Sequence, residues 1–157
     1  MRHREPIEAV RRRPRARRGS SSSSKGRKFT YETVVRETQL DSFGHINHAW
    51  YFQLFEDARW DMITQNGYGI DKIKKTGLGP TILQIKIRYR EELQVRQRIR
   101  IESQCVSYKR TIGTLVQRMF NETGDVCCTA EFIIGLLDIN RRKLVAPNEA
   151  WKRAMGI

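Results

Sequence analysis

The sequence predicts an α+β domain in which one antiparallel sheet packs around one long helix. Two patterns carry this prediction. Apolar residues recur at three- and four-residue steps over about residues 47–65, and period-two alternation follows over about residues 83–139. A long helix followed by consecutive strands is typical of a single sheet with its helices on one face. At 157 residues, the chain is long enough for one such domain with its own core.

The first 28 residues differ in composition from the rest of the chain. They hold 11 Lys or Arg against only Glu5 and Glu8, whereas the remaining residues hold 19 Lys or Arg against 15 Asp or Glu. With an arginine run followed by five serines, this segment has little to bury and is predicted to be disordered. We therefore divide the chain into a basic tail, residues 1–28, and a folded domain, residues 29–157.

The basic tail allows three interpretations. A solvated leader is the favoured one. Its charge also suits an arm that binds nucleic acid or an anionic surface, but it has no aromatic residue to stack on bases. Its Arg and Ser content resembles an organellar transit peptide, although Glu5 and Glu8 argue against import. Nucleic acid is therefore not expected as a partner except through this tail.

The sequence outside the tail indicates a cytoplasmic protein. No apolar run approaches the roughly 20 residues of a membrane span, and there is no secretory signal. The three cysteines (Cys105, Cys127 and Cys128) lack metal-ligand spacing, so no metal site is expected. Because alternate strand residues point to opposite faces, Cys127 and Cys128 are expected to face apart, which makes a disulfide between them a poor prediction.

Turn and cap signals divide the folded domain into elements. Asn47 is a plausible N-cap for the long helix, and Asn66-Gly67 is a stop signal. The expected elements are a strand from Phe29 to Glu37, a helix over 47–65, a loop from Gly67 to Pro80, strands over 83–89, 93–101, 112–121 and 126–139, and a short helix after Pro147.

The segment from Asp41 to Tyr51 is the most informative part of the sequence. It reads Asp-Ser-Phe-Gly-His-Ile-Asn-His-Ala-Trp-Tyr and leads directly into the long helix. One carboxylate therefore lies in a Gly-containing turn just before the free N–H groups of a helix start, which is a favourable place for negative charge. The pattern indicates chemistry on a group that becomes negatively charged as it reacts.

This segment resembles the single-hotdog acyl-CoA thioesterases of the 4-hydroxybenzoyl-CoA thioesterase type. The likeness lies in Asp-x-x-Gly-His-x-Asn, in Ala49-x-Tyr51, and in the later Phe55-Glu56-x-Ala58-Arg59 of the helix. By pattern it extends over about residues 29–155. The resemblance implies a hotdog fold, in which an antiparallel sheet wraps around one central helix. It also implies hydrolysis of a thioester to a free acid and a thiol.

The resemblance implies specific roles at the helix start. Asp41 would act as general base on a water or as a nucleophile, and both routes stay open. The backbone N–H of His48 would polarise the thioester carbonyl. The substrate would be a thioester of coenzyme A or of an acyl carrier protein, with no separate cofactor. None of the three cysteines lies near a helix N-terminus or a His, so a Cys nucleophile is not expected.

Further residues are expected to shape the site or to bind the substrate. His45 is either a rival base or, as we favour, a residue that orients the turn, while Gly44 and Asn47 shape the turn and cap the helix. Trp50 and Tyr51 would line the acyl pocket, although core packing explains them equally well. The resemblance implies that loop cations bind the phosphates of coenzyme A, and the matching residues are Lys109, Arg110 and Arg142.

Two other functions remain open at this stage. A hotdog hydratase or dehydratase would add or remove water at an enoyl-CoA without releasing thiol. A non-catalytic acyl- or nucleic-acid-binding module would draw on the basic tail and on the arginines that alternate along the strands. Because the open face of one sheet is usually completed by a second copy, a homodimer or homotetramer is expected.

Overall fold

The structure is a computed structural model that describes residues 25–157. The basic tail therefore lies outside the described residues, apart from its last four positions. Of these, Gly26 is buried and donates its N–H to Cys105 O at 2.8 Å, so the described fold already includes residues just before Phe29. The elements are β1 (Lys28–Val34), α1 (His48–Gln65), α2 (Ile70–Thr76), β2 (Leu78–Tyr89), β3 (Arg98–Lys109), β4 (Ile112–Phe120), β5 (Val126–Asp138), β6 (Lys143–Val145) and α3 (Glu149–Met155).

The strands form one antiparallel sheet in the order β1-β3-β4-β5-β2, with β6 added to the end of β5. Buried inward residues alternate with half-buried outward residues along β4 and over most of β3, and the alternation is less regular along β5. This period-two burial is expected for a sheet with one face on a core and one face towards water. The predicted α+β class, with an antiparallel sheet against a long helix, is confirmed.

Helix α1 is the longest helix and lies against the inward face of the sheet. Its buried residues follow the predicted three- and four-residue steps: Tyr51, Leu54, Phe55, Ala58, Met62 and Ile63. The helix begins at His48 behind the N-cap Asn47 and ends at the C-cap Asn66, followed by Gly67 with φ of 82°. Both predicted boundary signals are confirmed. Such signals can be read from the sequence because a helix cap is formed by the few residues at the helix end itself.

Three local predictions were wrong. The segment predicted as a loop from Gly67 to Pro80 contains α2, which buries only Ile73 and therefore has almost no apolar period to detect. The first strand ends at Val34, before a 3₁₀ turn over Glu37–Gln39. The strand predicted over 93–101 begins only at Arg98, because Leu93 is buried in a loop while Val95 is exposed.

The cysteine pair also departs from the prediction. Cys127 and Cys128 are both fully buried and do not face opposite environments. The reason is a bulge, since Phe120 pairs with Val126 while Met119 pairs with Cys128, which leaves Cys127 as the extra residue. All three cysteines are free thiols.

Strand β2 is an edge strand with an unusual apolar face. Its residues Ile82, Ile85, Ile87 and Tyr89 pair with inward-facing residues of β5, so they point to the helix side of the sheet. Helix α1 does not cover them fully: Ile85 is 40% exposed and Tyr89 is 43% exposed. No helix among residues 25–157 is long and apolar enough to cross a membrane.

Candidate functional site

The Asp41 turn orients one carboxylate by backbone hydrogen bonds. Asp41 Oδ1 accepts from the N–H of Phe43 at 2.8 Å and from that of His45 at 3.4 Å. Gly44 has φ of 83° and donates its N–H to Asp41 O at 3.1 Å, which closes the turn. Among residues 25–157, the Asp41 Oδ2 atom has no hydrogen-bond partner, so it is available to accept a proton or a hydrogen bond from a bound molecule.

One backbone N–H in the first turn of α1 has no acceptor among the described residues. The Asn47 side chain accepts from Ala49 N–H at 2.9 Å, and Asn47 O accepts from Trp50 N–H at 2.9 Å. The N–H of His48, the first helical residue, has no acceptor in the described part of the chain. A free N–H at a helix start carries partial positive charge and suits a developing anion.

Two tyrosines join this helix start to the end of β2. Tyr89 donates its hydroxyl to His48 O at 3.1 Å, and Tyr51 donates to Glu91 O at 3.4 Å. Their rings meet edge to face, with centroids 5.1 Å apart. Burial raises the pKa of Tyr51, with Cys128 adding to the shift, and burial also raises the pKa of Tyr89. Both hydroxyls therefore stay neutral donors near neutral pH.

The His45 ring contacts the carboxylate of Glu92 and is not hydrogen-bonded to that of Asp41. Its Nε2 atom lies 3.0 Å from Glu92 Oε2, and its backbone O accepts from Asp41 N–H at 2.8 Å. The ring thus ties the turn to the segment after β2, and not to another residue of the turn.

These groups line one open cleft of about 480 Å³. Its lining includes the predicted residues Asp41, His45, His48 and Tyr51, together with Phe43, Ile46, Tyr89, Arg90, Glu91 and Glu92. The cleft thus combines an oriented carboxylate, a free helix N–H and neutral hydroxyls. Such groups can promote attack on a carbonyl carbon and stabilise the carbonyl oxygen. No group of three or more His, Cys, Asp or Glu suited to a metal ion occurs within residues 25–157.

Comparison with known proteins identifies the family. A model of the thioesterase-like superfamily matches residues 35–155, which include the cleft. The chain belongs to the thioesterase-like superfamily. The predictions of this family, of its hotdog fold and of a thioester hydrolase are therefore confirmed.

Relatives of this superfamily member include an enzyme with a named activity. The long-chain acyl-CoA thioesterase FadM of Escherichia coli (strain K12) is 27% identical over 113 residues, which cover 71% of this chain and 85% of FadM. A Staphylococcus aureus protein solved in complex with CoA superposes with a TM-score of 0.77 at 18% identity, over 85% of each chain. A DHNA-CoA thioesterase from Staphylococcus aureus superposes with a TM-score of 0.70 at 21% identity, over 76% of this chain and 80% of that one. These two structures share the fold.

The cleft does not contain every residue that the sequence suggested for this superfamily member. Trp50 is half-buried against the core and does not line the cleft, and Asn47 acts only as the helix cap. Lys109 and Arg110 lie at the turn from β3 to β4, and Arg142 lies at the turn from β5 to β6. These turns are at the opposite end of the sheet from Asp41, because Tyr89 pairs with Cys128 while Leu78 pairs with Asp138.

Tyr89 and Arg90 are cleft residues that sequence reasoning missed. The alternation of Ile85, Ile87 and Tyr89 indicated a strand but not what its end would touch. Their position depends on β2 running antiparallel to α1 beside its first turn, which is a tertiary arrangement. The polar run from Arg90 to Glu92, just after a strand, was the available signal.

Proposed function

We propose that this protein hydrolyses the thioester of an acyl-CoA or an acyl-carrier-protein substrate at the start of α1. The observation that carries the proposal is that the Asp41 carboxylate and the free His48 N–H line the same cleft. FadM, a long-chain acyl-CoA thioesterase by name, supports an acyl-CoA substrate. The CoA in the Staphylococcus aureus structure supports coenzyme A as the thiol.

In this proposal, the thioester carbonyl oxygen accepts a hydrogen bond from His48 N–H. As the carbonyl carbon is attacked, the oxygen becomes negative and is stabilised by that N–H and by the positive end of the α1 dipole. One such donor is worth roughly a hundred- to a thousand-fold in rate. The stabilising group belongs to the backbone, so the His48 side chain is free to vary.

Asp41 acts by one of two routes. As general base, it takes a proton from water while the water oxygen bonds to the carbonyl carbon. The C–S bond then breaks, and the thiolate leaves and takes up a proton. As nucleophile, Asp41 displaces the thiolate to form a mixed anhydride, which water hydrolyses to the acid. Oriented through Oδ1 and open at Oδ2, the carboxylate suits either route.

We also infer that the working enzyme is a dimer formed through β2. This edge strand has a free hydrogen-bonding side, and its inward apolar residues, including Ile82 and Ile85, extend beyond α1. A second copy paired antiparallel along β2 would cover both features and give a two-fold interface. A tetramer would then be a pair of such dimers.

This dimer would complete the substrate site. The turns at Arg110 and Arg142 lie level with the start of β2, since Thr81 pairs with Gly135 and Ile139 donates to Gly77. In an antiparallel pair, the start of one β2 lies beside the end of the other. Arg142 of the partner subunit would then approach the Asp41 cleft, where its charge, like that of Arg90, can meet the phosphates of coenzyme A.

A thiol-release assay over short, long and aromatic acyl-CoAs, together with an enoyl-CoA, tests the activity. We expect free thiol to appear in step with free acid for at least one acyl-CoA class. Addition of water to the enoyl-CoA without any thiol release would contradict the proposal and favour a hydratase.

A further inference from the structure

A second cavity lies at the other end of α1 and contains a guanidinium that has no salt-bridge partner among residues 25–157. It has a volume of about 100 Å³ and lies between α1, the start of β2 and α3. Its lining is mainly apolar, with Trp60, Ile63, Ile82 and Trp151 among its residues. Arg59 lines the same cavity and brings a guanidinium into this apolar environment.

The Arg59 guanidinium is held in place on two sides. Its Nη1 atom donates to Gln117 Oε1 at 2.9 Å, and its Cζ atom lies 4.2 Å from the centre of the Phe132 ring. The buried Gln117 is itself fixed, since its Nε2 atom donates to Phe55 O and Ser103 Oγ. The guanidinium is therefore pre-positioned and not a mobile surface group.

The opposite edge of the guanidinium is free. Within residues 25–157, Arg59 forms no ion pair, and its Nε and Nη2 atoms have no hydrogen-bond acceptor. No fully buried side-chain nitrogen or oxygen in that range lacks a partner, so these two atoms are at least partly accessible. Nε and Nη2 form one edge of the planar group, and that fork matches the two oxygens of a carboxylate.

The surroundings favour an anion at this edge. Burial lowers the pKa of Arg59 to about 10, although the nearby Glu56 charge acts in the opposite direction. A bound negative charge would further offset the cost of keeping the guanidinium charged. Glu56 also lines the cavity, but it is exposed and its Oε1 accepts from the Trp60 indole N–H at 3.3 Å. Its carboxylate lies beyond salt-bridge distance from Arg59 and leaves the fork unoccupied.

Apolar residues of β2 extend from this cavity towards the Asp41 cleft along α1, and we call this strip the α1–β2 seam. Tyr89 touches His48 at one end of α1, and Ile82 lines the Arg59 cavity at the other. Between them, Ile85 and Ile87 lie on the same face of β2. The eleven steps along the helix from His48 to Arg59 correspond to a rise of about 17 Å, which is the scale of a long acyl chain.

We propose that the Arg59 cavity binds a carboxylate at the far end of the acyl chain, so that long acyl groups with a terminal carboxylate are preferred substrates. This inference rests on the proposed function, in which the thioester lies in the Asp41 cleft. The chain lies in the α1–β2 seam, between α1 and the inward face of β2, at the edge of the proposed dimer contact, and its terminal carboxylate receives two hydrogen bonds from Nε and Nη2 of Arg59.

The test compares three acyl-CoAs of equal chain length that end in a methyl, a hydroxyl or a carboxylate. For the unmodified protein, we expect the highest kcat/KM with the terminal carboxylate. Arg59→Met should lower that value at least tenfold or so, because a charge-assisted pair is lost, and should leave the methyl-terminated substrate within about twofold. With the carboxylate-terminated substrate, the kcat/KM of Arg59→Lys should lie between those of the unmodified protein and Arg59→Met. Arg118→Met, on the outer face of β4, should change kcat/KM for neither substrate.

A binding measurement separates this inference from the proposed hydrolysis. Trp60 and Trp151 line the cavity, so their fluorescence should respond to a free long-chain dicarboxylic acid, and this response should weaken in Arg59→Met. If no acyl-CoA is hydrolysed, the proposed function fails while this titration still tests the cavity. The inference is wrong if the unmodified protein does not favour the terminal carboxylate. It is equally wrong if Arg59→Met dissociates the protein and lowers kcat/KM by the same factor for all three substrates.

Discussion

At the scale of single residues, the hydrogen bonds of the first helical turn single out His48. Ala49 and Trp50 both donate to Asn47, and the His48 N–H is left without an acceptor in the described chain. The resemblance to the thioesterases implied this donor and the role of the Asp41 carboxylate, because both groups lie in one short motif. It did not predict Tyr89, which comes from a strand 41 positions further on and meets His48 O only in the folded protein.

Tyr89 is predicted to position the helix start. Tyr89→Phe removes the hydroxyl that donates to His48 O while it keeps the ring packed on Tyr51. The lost hydrogen bond is worth about 1 kcal/mol, so kcat should fall roughly fivefold with little change in KM. Steady-state kinetics on an acyl-CoA checks this, with Tyr31→Phe on β1 as the matched control. A rise in KM at unchanged kcat would assign Tyr89 to substrate binding instead.

At the scale of elements, prediction succeeded where the pattern was long and local. The 18 residues of α1 carry a clear apolar period with a cap at each end, whereas α2 has seven residues and buries only Ile73. The alternation after Leu93 resembled a strand, but strand membership is decided by the partner, and this stretch forms an isolated bridge between Gln94 and His45 in place of a continuous ladder. Such pairing depends on residues distant in sequence.

The two Asn caps allow stability and activity to be separated. Asn47→Ala should cost about 1 kcal/mol of unfolding free energy, because Ala49 N–H loses its acceptor, and it should also lower kcat as the helix start frays. Asn148→Ala removes the equivalent bond to Trp151 N–H in α3 and should cost a similar amount of stability. Denaturant unfolding and kinetics on both variants check this. An equal loss of activity in both would show that the cap at Asn47 has no special link to catalysis.

At the scale of the whole molecule, the single chain has an exposed apolar face on its edge strand β2. Its cationic turns also lie at the opposite end of the sheet from Asp41. The inward face of β2 extends past α1, and the turns at Arg110 and Arg142 lie far from Asp41. The sequence predicted an oligomer from the open face of the sheet, but it could not point to β2 as the proposed contact, because strand order is not a local property. An antiparallel β2 contact accounts for both features.

Ile85→Lys tests the β2 contact. A charge placed on this 40% exposed inward position should oppose burial by a second copy and convert the dimer to a monomer. Light scattering during gel filtration measures the mass, and thiol release should fall in the same variant if the partner completes the site. Glu32→Lys on the β1 edge is the control and should remain dimeric. If Ile85→Lys still has the mass of a dimer, the interface does not lie along β2.

The most direct measurement of the central claim is the kcat/KM of Asp41→Asn on the best acyl-CoA substrate. The amide keeps the shape and the Oδ1 acceptor of the turn but can neither take a proton as a base nor attack as a carboxylate. We predict a fall of at least about a hundredfold at unchanged stability, while Asp71→Asn on α2 retains full activity. Hydrolysis by Asp41→Asn at the rate of the unmodified protein would contradict the account.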